Sequence, residues 1–380
     1  MSVQVSYKKQ FALGIFLIVS LFAGIEIIVI VFDFFEPSSS EEIKEVFLDF
    51  DERTVKDIFY SDNLAYRYDK ILLNEPNQQF PTLNINSYGF RGPEITIEKP
   101  DNVYRIFFIG GSTAFGQIAS SDSKTIPGIL ESKFHENAEK EIEIINAGIN
   151  NADSRSETYL IRNIILEFEP NMLIIYDGWN EGQHDWGWDD EVEDQSTLAN
   201  LKNSFEVYLN SLYITKIKPY YKTPEKFQEL FTNKNNNPGE IQVPNSDLNE
   251  KKASVWEKRW EGICSIEDEK NFKTVITLQP ILGTGSKSLT PVEQERLEKS
   301  FARQNIILEL FDKLAISLTE LEKTCEKTID LRDSFDHTDK PVFHDLGHTS
   351  NYGNEIVAEK IYQNILPIIL DDIRKLTESL

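Results

Sequence analysis

Five short apolar runs, at 104–109 (YRIFFI), 142–145 (IEII), 172–176 (MLIIY), 274–279 (TVITLQ) and 328–331 (TIDL), punctuate the chain beyond residue 101 and leave it few folds. Each is too short to be a helix of its own, and most are apolar at consecutive positions, as strands buried on both faces must be. Amphipathic helical stretches lie between them, at about 126–138, 155–168, 252–270, 291–326 and 351–366. The helix near 291 opens with Thr290-Pro291-Val292-Glu293, a capping box with proline in the first turn. Strands alternating with helices predict an α/β chain: a three-layer α/β/α sandwich around a five-stranded, mostly parallel sheet. Ligands bind such a sheet beyond the carboxyl ends of its strands, so the residues that follow each run carry the chemistry.

The first run leads straight into Gly110-Gly111-Ser112-Thr113. A sharp turn there can project the Ser112 hydroxyl into a cleft, with glycine leaving room for the backbone and a substrate. A plain helix cap is the other role open to this serine. A phosphate loop is excluded, because no Gly-Lys-Ser/Thr follows and no G-x-G-x-x-G occurs. The second run ends in Asn146-Ala147-Gly148 and the third in Asp177-Gly178-Trp179-Asn180-Glu181. A glycine N–H and an asparagine amide converging near Ser112 would form an oxyanion hole, although both are also ordinary turn residues. Near the C-terminus stands His344-Asp345-Leu346-Gly347-His348. Asp345 can accept from His348 Nδ1–H and leave Nε2 to take a proton from Ser112. Metal ligation by His344, Asp345 and His348 competes with that role, as does a helix start with incidental polar residues.

These segments, in this order, resemble the SGNH hydrolases, also called GDSL-like esterases. The pieces that carry the resemblance are FFIGGSTAFG, INAGINN, IIYDGWNE and HDLGHTSNYGNEIVAEKI, and it covers about residues 101–370. NSYGFRG and LQPILGTG also look like those of membrane-anchored or secreted members. Gly111 stands where the family often has Asp, Asn151 where a second glycine is common, and Glu181 where Asp is common. The resemblance implies a flavodoxin-like SGNH fold, a Ser112–His348–Asp345 triad, and an oxyanion hole from the Ser112 and Gly148 N–H groups with the Asn180 side chain. It implies no metal and no organic cofactor.

The activity expected from that set is hydrolysis of a carboxylic ester through an acyl-enzyme, with short or O-acetyl groups on a surface glycan as substrates and lipid esters kept open. A glycan O-acyltransferase using the same residues is the rival, and a non-catalytic glycan-binding module the more distant one. Trp179, Trp186 and Trp188 follow the third strand beside His184 and Asp185; they could stack on sugar rings or simply pack the insertion against the sheet. With 63 Asp and Glu against 39 Lys and Arg, the net charge of −24 argues against a nucleic-acid partner and favours a neutral ester. Oligomeric state is not readable.

Residues 11–32 (FALGIFLIVSLFAGIEIIVIVF) carry a single charge, Glu26, and as a helix would be about 33 Å long, enough for a bilayer core of roughly 30 Å. Lys8 and Lys9 before it, and acidic residues after it, predict a cytoplasmic tail over 1–10, a lipid-embedded anchor over 11–32 and the remainder outside the cell. A cleaved signal peptide followed by secretion is the alternative. A juxtamembrane spacer and irregular extension over 33–100 then precede the hydrolase-like domain over 101–380, with an insertion at about 182–251 holding helices near 196–212 and 224–232. Cys264 and Cys325 allow a disulfide outside the cell, with two buried thiols the plainer expectation.

Overall fold

The computed structural model describes residues 7–32, 50–61, 63–135, 141–183 and 246–378. Two compact units emerge, one over 45–194 and 241–380 and one over 1–44 and 195–240. In the second, the described part is helix α1, Tyr7–Phe32. The apolar stretch is therefore helical, but among the described residues no helix is long and apolar enough to cross a membrane. Helix α1 covers the whole of residues 11–32, the stretch for which an anchor is expected. Most of the expected insertion, with its two helices, Trp186 and Trp188, lies outside the described residues.

The larger unit is built on five strands: β1 Val103–Gly110, β2 Glu141–Asn146, β3 Met172–Asp177, β4 Lys273–Leu278 and β5 Lys327–Asp330. They lie in the order β2-β1-β3-β4-β5, and every neighbouring pair is parallel. This is the doubly wound order of flavodoxin-like sheets, with its switch point between β1 and β3. The helices are α2 Glu52–Ser61, α3 Ser112–Phe115, α4 Ile126–His135, α5 Ser154–Asn163, α6 Trp179–Gln183, α7 Ser246–Cys264, α8 Glu267–Lys270, α9 Pro291–Lys299, α10 Phe301–Leu321 and α11 Asn351–Glu378.

Alternate residues of β1 point to opposite faces, and both faces are dry. Ile106 and Phe108 pack with Phe134 of α4 and with Ile361, Ile365 and Ile369 of α11. Phe107 and Ile109 pack with Leu160 of α5, Trp256 and Trp260 of α7, and Leu310 and Leu314 of α10. The result is three layers, each buried aliphatic side chain contributing roughly 1.5–3 kcal/mol.

The helices depart from their expected lengths where the backbone breaks. The stretch expected at 155–168 stops at Ile164 and resumes as a short 3₁₀ turn over Ile165–Phe168. Pro170 bars helical geometry at Glu169, which turns left-handed at φ 52°. Ser300, at φ −110° and ψ 12°, splits the expected 291–326 helix into α9 and α10. The last helix runs past Pro367 to Glu378.

A smaller antiparallel element packs beside the end of α3. Residues Tyr66–Asp69 and Ile71–Asn74 form an antiparallel hairpin, and Gln78–Gln79 pairs with Asn84–Ile85. Leu83 and Ile85 then pack on Phe115 at the end of α3. At the opposite, amino edge of the sheet the two cysteines correct an expectation. The end of α7 and the turn after α10 bring the Cα atoms of Cys264 and Cys325 to 4.9 Å, and the two form a disulfide rather than two buried thiols.

Candidate active site

Beyond β1 the chain passes Gly110 and Gly111 into α3, which places Ser112 at the first helical position. The turn is too tight for side chains. A Cβ on Gly110 would lie 2.2 Å from Tyr176 O, and one on Gly111 would lie 2.2 Å from Asn180 Nδ2. Ser112 is 7% exposed, so its side chain is largely covered at the carboxyl edge of the sheet.

Opposite it stands the loop between β5 and α11. Phe343 bridges Thr349, and the His344 N–H donates to His348 O at 2.8 Å. The capping box expected at Thr290 forms, and its Glu293 reaches beyond its own helix. One carboxylate oxygen accepts from Val342 N–H at 3.0 Å and from Phe343 N–H at 3.3 Å; the other accepts from Lys287 Nζ at 2.8 Å. These charge-assisted bonds seat the loop base in the core.

At the loop tip the Asp345 carboxylate accepts from His348 Nδ1 at 2.7 Å, from His348 N–H at 2.7 Å and from Gly347 N–H at 2.8 Å. An ionised carboxylate only accepts, so Nδ1 carries the ring proton and Nε2 is the acceptor. Ser112 Oγ lies 2.7 Å from Nε2. Burial pushes the Asp345 carboxyl up, but the His348 charge and the three donated hydrogen bonds outweigh it and hold it well below the usual carboxylate range. Half of the Asp345 side chain, 51%, remains solvent-accessible, so the hydrogen bonds rather than a dry environment govern this group. Ser112, His348 and Asp345 thus form one continuous hydrogen-bonded chain.

The expected oxyanion residues are placed unequally. The Asn180 amide nitrogen lies against Gly111 and donates one proton to Ala152 O at 2.6 Å; an amide nitrogen has a second to give. Gly148 packs so closely beneath α3 that a Cβ would lie 2.2 Å from Phe115 N. Its N–H, however, donates to Asn146 Oδ1 at 3.0 Å, so at rest the expected third donor is already partnered. Half-buried Trp179 packs into the core, and a Cβ on Gly347 would lie 3.2 Å from its ring. This packing is one of the two roles open to Trp179. His344 stacks on Phe50 at 6.0 Å instead of sharing a ligand set with His348, and among the described residues no group of three or more His, Cys, Asp or Glu is arranged for a metal ion.

Several supports were not visible in the sequence. Asp177, at the end of β3, accepts from Gly178 N–H at 2.6 Å and Trp256 Nε1 at 2.8 Å, and Glu181 accepts from Ser154 N–H at 2.6 Å. Glu157 is 1% exposed beside them. Burial, then the neighbouring carboxylates, push Glu157 and Glu181 up, while Arg259 opposes. Burial also raises Asp177.

No family model and no curated protein matches the chain. Solved structures similar to it include an acetyl xylan esterase called AlAXEase, at 12% identity and TM-score 0.39, covering 69% of this chain and 99% of that one. A lipase/acylhydrolase from Enterococcus faecalis matches at 13% identity and TM-score 0.39, covering 69% and 94%. The acetylxylan esterase Axe2 from Geobacillus stearothermophilus matches at 12% and 0.38, covering 69% and 94%. At these values the likeness carries no argument, and function must be argued from the site.

Proposed function

We propose that this protein is a serine ester hydrolase. The observation that carries the proposal is the unbroken Asp345–His348–Ser112 relay, with both side-chain links at 2.7 Å, at the carboxyl edge of a parallel sheet. His348 Nε2 takes the Ser112 proton as Oγ attacks the ester carbonyl, and Asp345 steadies the imidazolium. The resulting oxyanion is met by the Ser112 N–H and the second proton of the Asn180 amide, with Gly148 N–H joining only where Asn146 releases it. Collapse expels the alcohol, which receives the proton from His348. Water, deprotonated by the same imidazole, then cleaves the acyl-Ser112 ester and restores the enzyme.

The largely covered Ser112 and the acidic chain favour a short, uncharged acyl ester, of which an O-acetylated glycan is the substrate we propose. We place the site outside the cytosol. The Cys264–Cys325 disulfide supports that location, as does the apolar N-terminal stretch, whether it acts as an anchor or a cleaved leader.

The deciding assay is hydrolysis of p-nitrophenyl esters, acetate through octanoate, by the full chain and by Ser112→Ala. Turnover best on the short chains that falls by roughly 10⁴-fold or more in the variant is expected. Equal rates in the two proteins would remove the triad from the reaction.

A further inference from the structure

The turn that presents Ser112 is a helix of only four residues, 112–115. A helix that short does not hold itself, because nucleation costs more than one turn of hydrogen bonds returns. Its conformation must be imposed from outside. At its N-terminal end the close approach of Gly110 and Gly111 does so. At its C-terminal end, the carbonyls of Phe115 and Gly116 need donors.

Arg91, in a segment the sequence places before the α/β domain, donates to both, beside the Ala119 N–H that reaches Gly116 O at 2.9 Å. Arg91 is 3% exposed. Its Nη1 donates to Phe115 O at 3.1 Å and to Gly116 O at 2.7 Å, its Nη2 to Thr82 O at 2.9 Å, and its Nε to Asp122 Oδ1 at 2.7 Å. The guanidinium carbon also lies 5.0 Å from the Phe115 ring centroid. Asp122 is itself held, accepting from the Asn84 side chain at 3.0 Å. The Arg91 backbone N–H donates to Asn146 O at 3.0 Å, and the Asn146 amide donates to Phe115 O at 3.0 Å. Asn146 Oδ1 in turn holds the Gly148 N–H. One buried guanidinium thus ties the nucleophile turn, the loop after β2 and residues 82–91 into a single network.

We propose that Arg91 is a positioning residue for Ser112: its planar fork fixes the turn through Phe115 and Gly116, and residues 82–91 belong to the catalytic unit. The inference rests on the esterase proposal above, since it concerns the nucleophile of that reaction. A lysine cannot replace the fork, because one ammonium does not span four acceptors set in different directions. The Gly116 and Gln117 N–H groups, which donate to Ser112 O at 2.9 and 3.1 Å, report directly on the turn.

The test compares the full chain with Arg91→Lys and Asp122→Asn, measuring phosphonylation of Ser112 by a fluorophosphonate, kcat and KM on p-nitrophenyl acetate, and amide exchange at Gly116 and Gln117. For Arg91→Lys we expect phosphonylation and kcat per folded molecule to fall about 100-fold, KM to move less than about threefold, and both amides to exchange faster. A role in stability alone would lower the melting temperature and leave the rate per folded molecule unchanged. A folded Arg91→Lys chain with wild-type phosphonylation and exchange overturns the proposal. Should Arg91→Lys not fold, Asp122→Asn decides, with the same signature expected at about tenfold and an unchanged rate overturning it. A wild-type chain that is never phosphonylated at Ser112 sinks the esterase proposal instead, while amide exchange still decides whether Arg91 holds the turn.

Discussion

The acid–base half of the relay and its nucleophile half differ in where their supports lie along the chain. Asp345 and His348 are three residues apart and share one loop, and the Asp345 carboxylate takes two backbone N–H groups from that loop. The Ser112 turn borrows its supports from afar. Arg91 reaches Phe115 across 24 positions, Asn146 reaches it across 31, and His348 meets Ser112 across 236. A local pair survives small movements elsewhere in the fold because its geometry is written into one turn. A turn held by distant donors is accurate only when the whole sheet edge is assembled.

The largest effect should come from breaking the local half. Asp345→Asn, which favours the wrong imidazole tautomer, is expected to lower turnover by about 10⁴-fold, with little change in thermal melting because the side chain is half exposed. Steady-state kinetics beside a melting curve checks this, and an active Asp345→Asn would show that His348 is oriented by some other group. Next, Asn180→Ala removes one oxyanion donor and is expected to reduce kcat by about 10²–10³-fold. Normal turnover in that variant would remove Asn180 from the mechanism and leave the charge to backbone donors.

The smallest effect concerns the carboxylates buried behind the site. Glu157, raised above its ordinary value of 4.5 mainly by burial, stays protonated in the fold where the unfolded chain ionises. Stability is therefore present below about 4.5 and declines as pH rises toward the folded value. Glu157→Gln, uncharged at every pH, should raise the melting temperature by about 2–4 °C at pH 8 and by less at pH 5. A shift of equal size at both pH values would show that ionisation at this site does not limit stability.

The same contrast explains what the sequence makes legible. Five apolar runs and their helices predict the parallel sheet, because period and burial are local properties. His348 and Asp345 are readable for the same reason, and so is the Thr290–Glu293 box. Arg91 is not readable, since arginine usually marks solvent and nothing near it names Phe115 or Asp122 as its partners. The second role of Glu293, gripping Val342 and Phe343 across 49 and 50 positions, is hidden likewise. Gly148 lies beneath the nucleophile turn, but its hydrogen-bond partner depends on the side-chain rotamer of Asn146, which spacing does not encode. The Cys264–Cys325 disulfide is not readable, because no pattern fixes how the ends of α7 and α10 meet.

The position of α11 has a consequence for biosynthesis. This helix follows the His348 loop and buries Ile361, Ile365 and Ile369 on the sheet. A nascent chain can lay down β1 and Ser112 early, since segments fold as they emerge. It gains its proposed base only when the loop before α11 has been made and seated. Every shortened product of stalled synthesis or proteolysis that ends before His348 would then hold Ser112 without its partner in the proposed reaction.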